Sequence, residues 1–445
     1  MKLFSKIVKI SEQFDRSQKF SDSDRCLIIA ASKMSNLGQL VPKKLDSIFR
    51  EAGAQLFVVG GSVRDSLLGF PAKDVDLCTN LKPEEIIQVL ESNNLKALPL
   101  GIEHGTITTL LNGEPVEITS FRIDTNPTGR HSEVQFVDSL EQDLARRDFT
   151  INSMAVDSQG NVVDPFNGQE DLAKGIIKAV GNPENRLRED FLRIIRALRF
   201  SSRYNFNIEE KTRQAIEQLA PVLRSEMRIN NPSGAISTER ITDEINKAFK
   251  SGNSGEFLKN LANLGVLTDI FPEIENWQTI FEMVDRLDPQ NKWFGLFINI
   301  PSDQIEEFVR RLKLPLDILQ NAMKASDLKD EYIRLSQQSN ISDQEIRNIR
   351  NKFGNNISEF KQIFEGIFGK SDFSKKIFDE NQTIFQPMLQ GRDLMPLFPE
   401  RKPGRWVGDM LKQAEEYQRQ YFEQTGEYPS YDEMIEFAKG KTKNE

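Results

Sequence analysis

The chain turns on one stretch, Leu56–Thr79, which reads LFVVGGSVRDSLLGFPAKDVDLCT. Leu56–Val59 is an apolar, β-branched run of strand length. Gly60-Gly61 then allows a tight turn and leaves room for a ligand against the main chain. Ser62–Leu68 reads as the opening of a helix with Asp65 in its first turn, where a carboxylate suits the dipole. Strand, diglycine and helix start together form a cradle whose N–H groups suit phosphate oxygens. Asp74-Val75-Asp76 follows. If Val75–Leu77 is a strand, Asp74 and Asp76 point to one face, because side chains alternate with period two. Two carboxylates beside a phosphate cradle point to a divalent-metal site for phosphoryl or nucleotidyl transfer.

The surroundings narrow the class. A chain of 445 residues exceeds what one core serves, and 38% hydrophobic with 28% charged content fits a soluble globular protein. No run of 18 apolar residues spans a membrane, and MKLFSKIVKISEQF at the start lacks the apolar core of a signal peptide. Cys26 and Cys78 are the only cysteines, so no disulfide framework or Cys-type zinc site is available and a reducing cytoplasm is expected. A net charge of −9 argues against a general nucleic-acid coating protein but permits a local basic groove. With only His104 and His131, the chain has too few histidines for a His-Asp phosphohydrolase.

Residues 1 to about 42 read as one or two short helices, and Lys43–Ala52 as another. Pro83–Ser92 is a helix with proline near its start, followed by an apolar patch at Leu95–Leu100. Gly101–Asn112 and Val116–Phe121 form a hairpin joined at Asn112-Gly113. Glu117 there is either a third carboxylate beside the Asp pair or an exposed strand residue. The polar Asp124–Glu133, with Pro127 and Gly129, reads as a mobile loop before Val134–Val137 and a charged helix. Asp164–Gly168 is a turn before a helix. Beyond this α/β head nearly everything reads as helix. Trp277 and Trp293 read as core, Ser336–Asn356 as a loose connection, and Gly391–Gln413 as a basic stretch before a long helix, either a phosphate-contact surface or a solvated loop.

The helix expected over Arg186–Tyr204 carries Arg186, Arg188, Arg193, Arg196, Arg199 and Arg203 against only Glu189 and Asp190. Asp190, Arg193, Arg196 and Arg199 recur every three residues as one polar stripe, beside an apolar stripe of Phe191, Ile194, Ile195 and Leu198. One reading is a solvated basic face. The other rests on the near absence of lysine: arginine offers a planar fork for phosphate and base edges. An Asp–Arg pair there could imitate the pairing edge of a base.

The series GGSVRD, DVD, VEITSFR, RRDFTINSMAVD, DPFNG, REDFLRIIRALRF and STERITDEI, in this order, resembles the class II tRNA nucleotidyltransferases and their bacterial poly(A) polymerase relatives, members of the DNA polymerase beta nucleotidyltransferase superfamily. The likeness covers about residues 50–275, with a weaker echo at GRDLMPLFPERKPGRWVGDML. It implies an α+β fold: an N-terminal nucleotidyltransferase head with a small mixed sheet and helices, then an all-α neck, body and tail. Expected boundaries are 1–45 for an N-terminal helical extension, 46–180 for the head, 181–275 for the neck and 276–445 for body and tail. The first 45 residues exceed those of compact bacterial members.

The resemblance implies that Asp74 and Asp76 hold two magnesium ions (Mg2+), with Glu117 as the nearby catalytic carboxylate. Gly61 and Arg64 match positions contacting the incoming nucleotide. Arg146, Arg147, Asp148 and Asn152 match a motif for triphosphate and ribose. Asp190 and Arg193 match the pair that reads the base edge of ATP or CTP, while Arg196 and Arg199 match further nucleotide contacts. Glu239-Arg240 resembles a motif that braces the neck. Phe191 stands where many members have proline. The implied activity is template-independent addition of CCA to the 3′ end of tRNA, with Asp124–Glu133 helping to switch from CTP to ATP. The alternatives are a poly(A) polymerase, a partial CC- or A-adding enzyme, or an inactive RNA-binding relative. Oligomeric state is not legible.

Overall fold

The computed structural model describes residues 25–26, 28–29, 37–72, 75–128, 131–338, 340–354, 357–379, 388–425 and 427–441. Most of the expected N-terminal helices, and Asp74 itself, lie outside the described residues. Compact packing divides the chain into two units, Met1–Asp327 and Leu328–Glu445.

The first unit is built on a mixed sheet. Helix α1 (Lys43–Glu51) places Leu45, Ile48 and Phe49 on one buried face, which packs against strand β1 (Leu56–Val59). Helix α2 (Gly61–Leu67) follows β1 directly. Its start at Gly61 puts Asp65 beyond the first turn, correcting the expected dipole role, and the Asp65 carboxylate pairs instead with Arg64 and Arg203. Strand β2 is Asp76–Thr79, beginning one residue later and ending two later than Val75–Leu77. Helix α3 (Pro83–Ser92) begins as expected, with Pro83 in its first turn and the Glu85 carboxylate accepting from Lys82 N–H (2.7 Å). The apolar patch supplies only the short strand β3 (Ala97–Leu98).

Strands β4 (Thr106–Leu111) and β5 (Glu114–Ser120) make the expected hairpin, with Asn112 and Gly113 at φ 53° and 88° in its turn. After β6 (Arg122–Thr128) and β7 (His131–Phe136), β8 (Ala155–Val156) and β9 (Val162–Val163) complete the sheet in the order β3-β4-β5-β2-β1-β8-β9. Only β2 and β5 run parallel within it. Val59, Cys78, Phe121, Leu144 and Ala155 form a core cluster, with Phe57, Val137, Leu140 and Phe166 packed against it.

The expected loop at Asp124–Glu133 is a separate antiparallel ribbon, β6 with β7. Pro127 lies where the register shifts between Thr125 and Thr128, a place that needs no regular ladder bond. The proline there marked an irregularity in a paired ribbon rather than an unpaired segment.

Helix α4 (Leu140–Ala145) and helix α5 (Gly168–Lys174) flank the Arg146–Asn152 segment. The turn before α5 is tied by Asp164, whose carboxylate accepts from Gly168 and Gln169 N–H (2.7 and 2.9 Å). The helix expected over Arg186–Tyr204 is two helices, α6 (Pro183–Glu189) and α7 (Leu192–Tyr204). Asp190 is extended (φ −155°, ψ 103°), and its Oδ1 accepts from Leu192 N–H (3.1 Å). The aspartate caps a new helix instead of continuing the old one. Helices α8 (Glu210–Glu226) and α9 (Thr238–Phe249) follow, with α9 packed against α7. Trp293 is core, as expected, at 5.0 Å from Phe249.

The second unit is helical. Its core gathers Tyr332, Phe353, Phe360, Phe364, Phe373 and Phe378. A further cluster of Leu389, Leu394, Met410, Ala414, Met434 and Ala438 joins the helices Arg405–Thr425 and Tyr431–Lys441. The supposed loose connection Ser336–Asn356 contains the helix Asp343–Phe353, started by a Ser342–Glu345 capping box. Among the described residues no helix is long and apolar enough to cross a membrane.

Candidate active site

The β1–α2 turn opens onto a cleft of about 720 Å³. Gly60 holds φ 73° and ψ −126°, and a side chain there would meet Arg147 Nη1 at 2.8 Å. The backbone therefore requires glycine, and a side chain there would also push the end of the Arg147 guanidinium aside. Gly61, Arg64, Asp76, Arg146, Arg147, Asp148, Asn152, Asp190, Arg193, Arg196 and Arg199 all line this one cleft. Of the described candidate residues only Glu117 is not in its wall; Asp74 lies outside the described residues.

Glu117 lines an adjoining recess of about 210 Å³, together with Asp76 and Arg146. Strands β2 and β5 pair Asp76 with Glu117 in register, and both residues are exposed. Two carboxylates thus stand side by side on neighbouring strands. Among the described residues no group of three His, Cys, Asp or Glu is arranged to hold a metal. A small hard dication uses one or two carboxylates with phosphate and water oxygens, so the Asp76–Glu117 pair fits such an ion.

Behind this edge, Asp143 is buried. It accepts from Arg146 Nε (3.0 Å), Arg147 Nη2 (3.1 Å) and Arg122 N–H (3.3 Å). Burial alone would raise its pKa, but Arg147 and Arg146 outweigh this and hold it low. Burial and the nearby Arg146 lower the Arg122 guanidinium to about 10.

The arginine stripe on α7 faces carboxylates rather than solvent. Arg196 donates from Nε and Nη2 to Asp148 Oδ2 (2.8 and 2.6 Å) and from Nη1 to Glu244 Oε1 (3.3 Å). Arg199 donates to Glu244 and lies 4.1 Å from the Phe200 ring. Burial would raise the Asp148 pKa, yet Arg196 and the Asn152 bond hold it well below the carboxylate range. Glu244 is lowered likewise by Arg199 and Arg196, against its burial. Asn152 donates to Asp148 Oδ1 (2.9 Å) and accepts from Arg64. The chain Arg64–Asn152–Asp148–Arg196–Glu244–Arg199 thus runs from α2 to α9.

The candidate base-reading pair is held from several sides. Arg193 donates to Glu189 Oε2 (2.5 Å), Arg186 O (2.7 Å) and Arg146 O (3.1 Å). A guanidinium has five N–H groups, more than these three bonds use. Asp190 Oδ2 accepts from Arg240 Nη2 (2.5 Å). Arg240 and Glu244 share one face of α9 with Asp243 and Lys247, at helical spacing, and all four line the cleft. Arg203 and Phe200 line it too. The sequence reading did not place Glu244, Asp243 or Lys247 in the site. Their three-to-four spacing after Arg240 was the available signal.

Comparison with known proteins matches two family models: "Poly A polymerase head domain" over residues 56–178 and "Probable RNA and SrmB- binding site of polymerase A" over 205–278. A CCA-adding enzyme of Enterococcus faecalis is 32% identical over 404 residues, covering 84% of this chain and 91% of that protein. The chain belongs to the CCA-adding enzyme family. Among solved CCA-adding enzymes, that of Bacillus stearothermophilus in complex with CTP aligns at TM-score 0.65 and 25% identity, covering 93% of this chain and 99% of that one. The Thermotoga maritima CCA-adding enzyme complexed with tRNA shares the fold at TM-score 0.58 and 19% identity, over 93% and 98% of the two chains. The α+β architecture expected for a CCA-adding enzyme is the one observed.

Proposed function

We infer that this chain adds C, C and A to the 3′ end of tRNA, taking CTP and ATP as substrates and using no nucleic-acid template. The observation that carries this is the meeting, in one cleft, of the Asp190–Arg193 pair with the Asp76 edge and the Gly60-Gly61 turn. In this reading Arg64, Arg147 and Arg196 counter the triphosphate, with Gly61, Arg146 and Asn152 beside it and Asp148 orienting Arg196. Asp190 accepts from the amino group of C or A while Arg193 donates to the neighbouring ring acceptor, and Arg199 supports Arg196 through Glu244. Asp74 and Asp76 would hold magnesium, with Glu117 beside them. The ions would favour the attacking hydroxylate and the leaving pyrophosphate.

The division into head 46–180, neck 181–275 and body with tail 276–445 is part of the same proposal, supported by matched segments at 56–178 and 205–278. The exposed Arg401, Lys402 and Arg405 of the second unit suit a tRNA backbone. Cys26 and Cys78 are free thiols, which suits work in the cytoplasm.

The test is incubation with tRNA lacking its 3′ CCA and labelled CTP or ATP, followed by sequencing of the products. The expected product ends in CCA, and Asp76→Ala is expected to abolish addition while tRNA affinity persists. Long A tails, or products stopping at C, would overturn the assignment.

A further inference from the structure

Tyr204 closes helix α7 and belongs to none of the motifs that carry the resemblance. Its hydroxyl donates to Asp65 Oδ1 (2.7 Å), and its ring lies 5.1 Å from the Arg64 guanidinium. The Phe200 ring, stacked on it at 6.2 Å and 15°, lies 5.0 Å from the same guanidinium. Asp65 also accepts from Arg64 Nε (2.8 Å) and Arg203 Nη2 (3.2 Å). Arg64 is buried in the cleft wall with its other end on Asn152. Without the hydroxyl, Asp65 is left with its two arginine donors, Arg64 and Arg203, and the carboxylate that holds Arg64 Nε loses a bond that fixes its own position.

We propose that Tyr204 is a positioning residue for nucleotide binding: through Asp65 it aims Arg64 of α2 at the triphosphate. This rests on the nucleotidyl-transfer reading above. Tyr204 acts on the phosphates and not on the base, so CTP and ATP are affected alike. The phenyl ring is held by Phe70 and Phe206 as well (6.5 and 5.5 Å), so Tyr204→Phe keeps the packing and removes only the hydroxyl.

The experiment compares the full-length wild type with Tyr204→Phe and Tyr204→Leu. Steady-state addition to tRNA gives kcat and KM for each nucleotide, and inorganic tripolyphosphate is titrated calorimetrically as a probe that needs no catalysis. For Tyr204→Phe the expectation is a rise of about fivefold in KM for both CTP and ATP, with kcat within about twofold. Tripolyphosphate affinity should weaken in parallel and Tm should hardly move. Tyr204→Leu should show the same pattern more strongly, with Tm lowered. Unchanged KM and tripolyphosphate affinity in Tyr204→Phe overturn the proposal, as does a fall in Tm with both constants intact. A shift for only one nucleotide also overturns it. A wild type that adds no nucleotide refutes the catalytic reading instead, and tripolyphosphate affinity then decides the role of Tyr204.

Discussion

At the scale of single residues, the cleft is a set of arginines each held by a named acceptor. Arg193 is fixed by Glu189 and two backbone carbonyls, and Asp190 by Arg240 and Leu192 N–H. C and A present an amino group beside a ring acceptor on the pairing edge, whereas U and G present a carbonyl beside an N–H. Asp190 and Arg193 therefore suit the first two and leave buried groups unpaired against the others, at about 1–3 kcal/mol each. Asp190→Ala is expected to cut the preference for CTP over UTP by about ten- to a hundredfold. Single-nucleotide addition to tRNA with each of the four triphosphates measures it. Discrimination as sharp as in wild type would place base choice elsewhere.

At the scale of elements, the ribbon of β6 and β7 touches the site at Arg122, which lines the Asp76–Glu117 recess, and at Asp124. Asp124 lies 3.7 Å from Arg146, whose carbonyl accepts from Arg193. Moving the ribbon therefore moves a partner of the candidate base reader. Replacing 124–133 with a short Gly-Ser turn is expected to spare CC addition and slow the final A by about tenfold, the effect of one charged bond. Product lengths on a sequencing gel read both steps, and equal loss of C and A sinks the idea. Most of the head was legible because its signals are local. Gly60-Gly61 follows an apolar strand, Asn112-Gly113 separates two alternating runs, and Pro83 opens a helix. The break at Asp190 was missed because the regular spacing of arginines outweighed a capping residue. The partners of those arginines were missed for a different reason: Asp148 and Glu244 each lie 48 positions from Arg196, beyond any periodicity.

At the scale of the molecule, Asp148 and Glu244 join the sheet-bearing part to helices α7 and α9. The folded pKa of Asp148 lies below its unfolded value, so its stabilisation is complete above about pH 5 and fades as pH falls through about 4. Asp148→Asn leaves Arg196 short of a buried partner and is expected to cost about 3 kcal/mol at pH 7. Urea midpoints should show that deficit constant from pH 8 to 5 and narrowing between pH 5 and 3. A deficit independent of pH would mean that the Asp148 charge contributes nothing.

The lining of the main cleft carries one further consequence. It holds nine basic side chains and five acidic ones, in a protein whose net charge is −9. Asp65, Asp143 and Glu189 stand behind that lining and pair with Arg64, Arg203, Arg146, Arg147 and Arg193, so the guanidinium groups face the hollow while their counter-charges lie behind them. Folding therefore fixes a cationic face in one hollow of an otherwise anionic body, with the cost of gathering its cations already offset by the carboxylates paired with them. Part of the attraction for the phosphate chain is thus stored in the empty protein, before any individual contact is made.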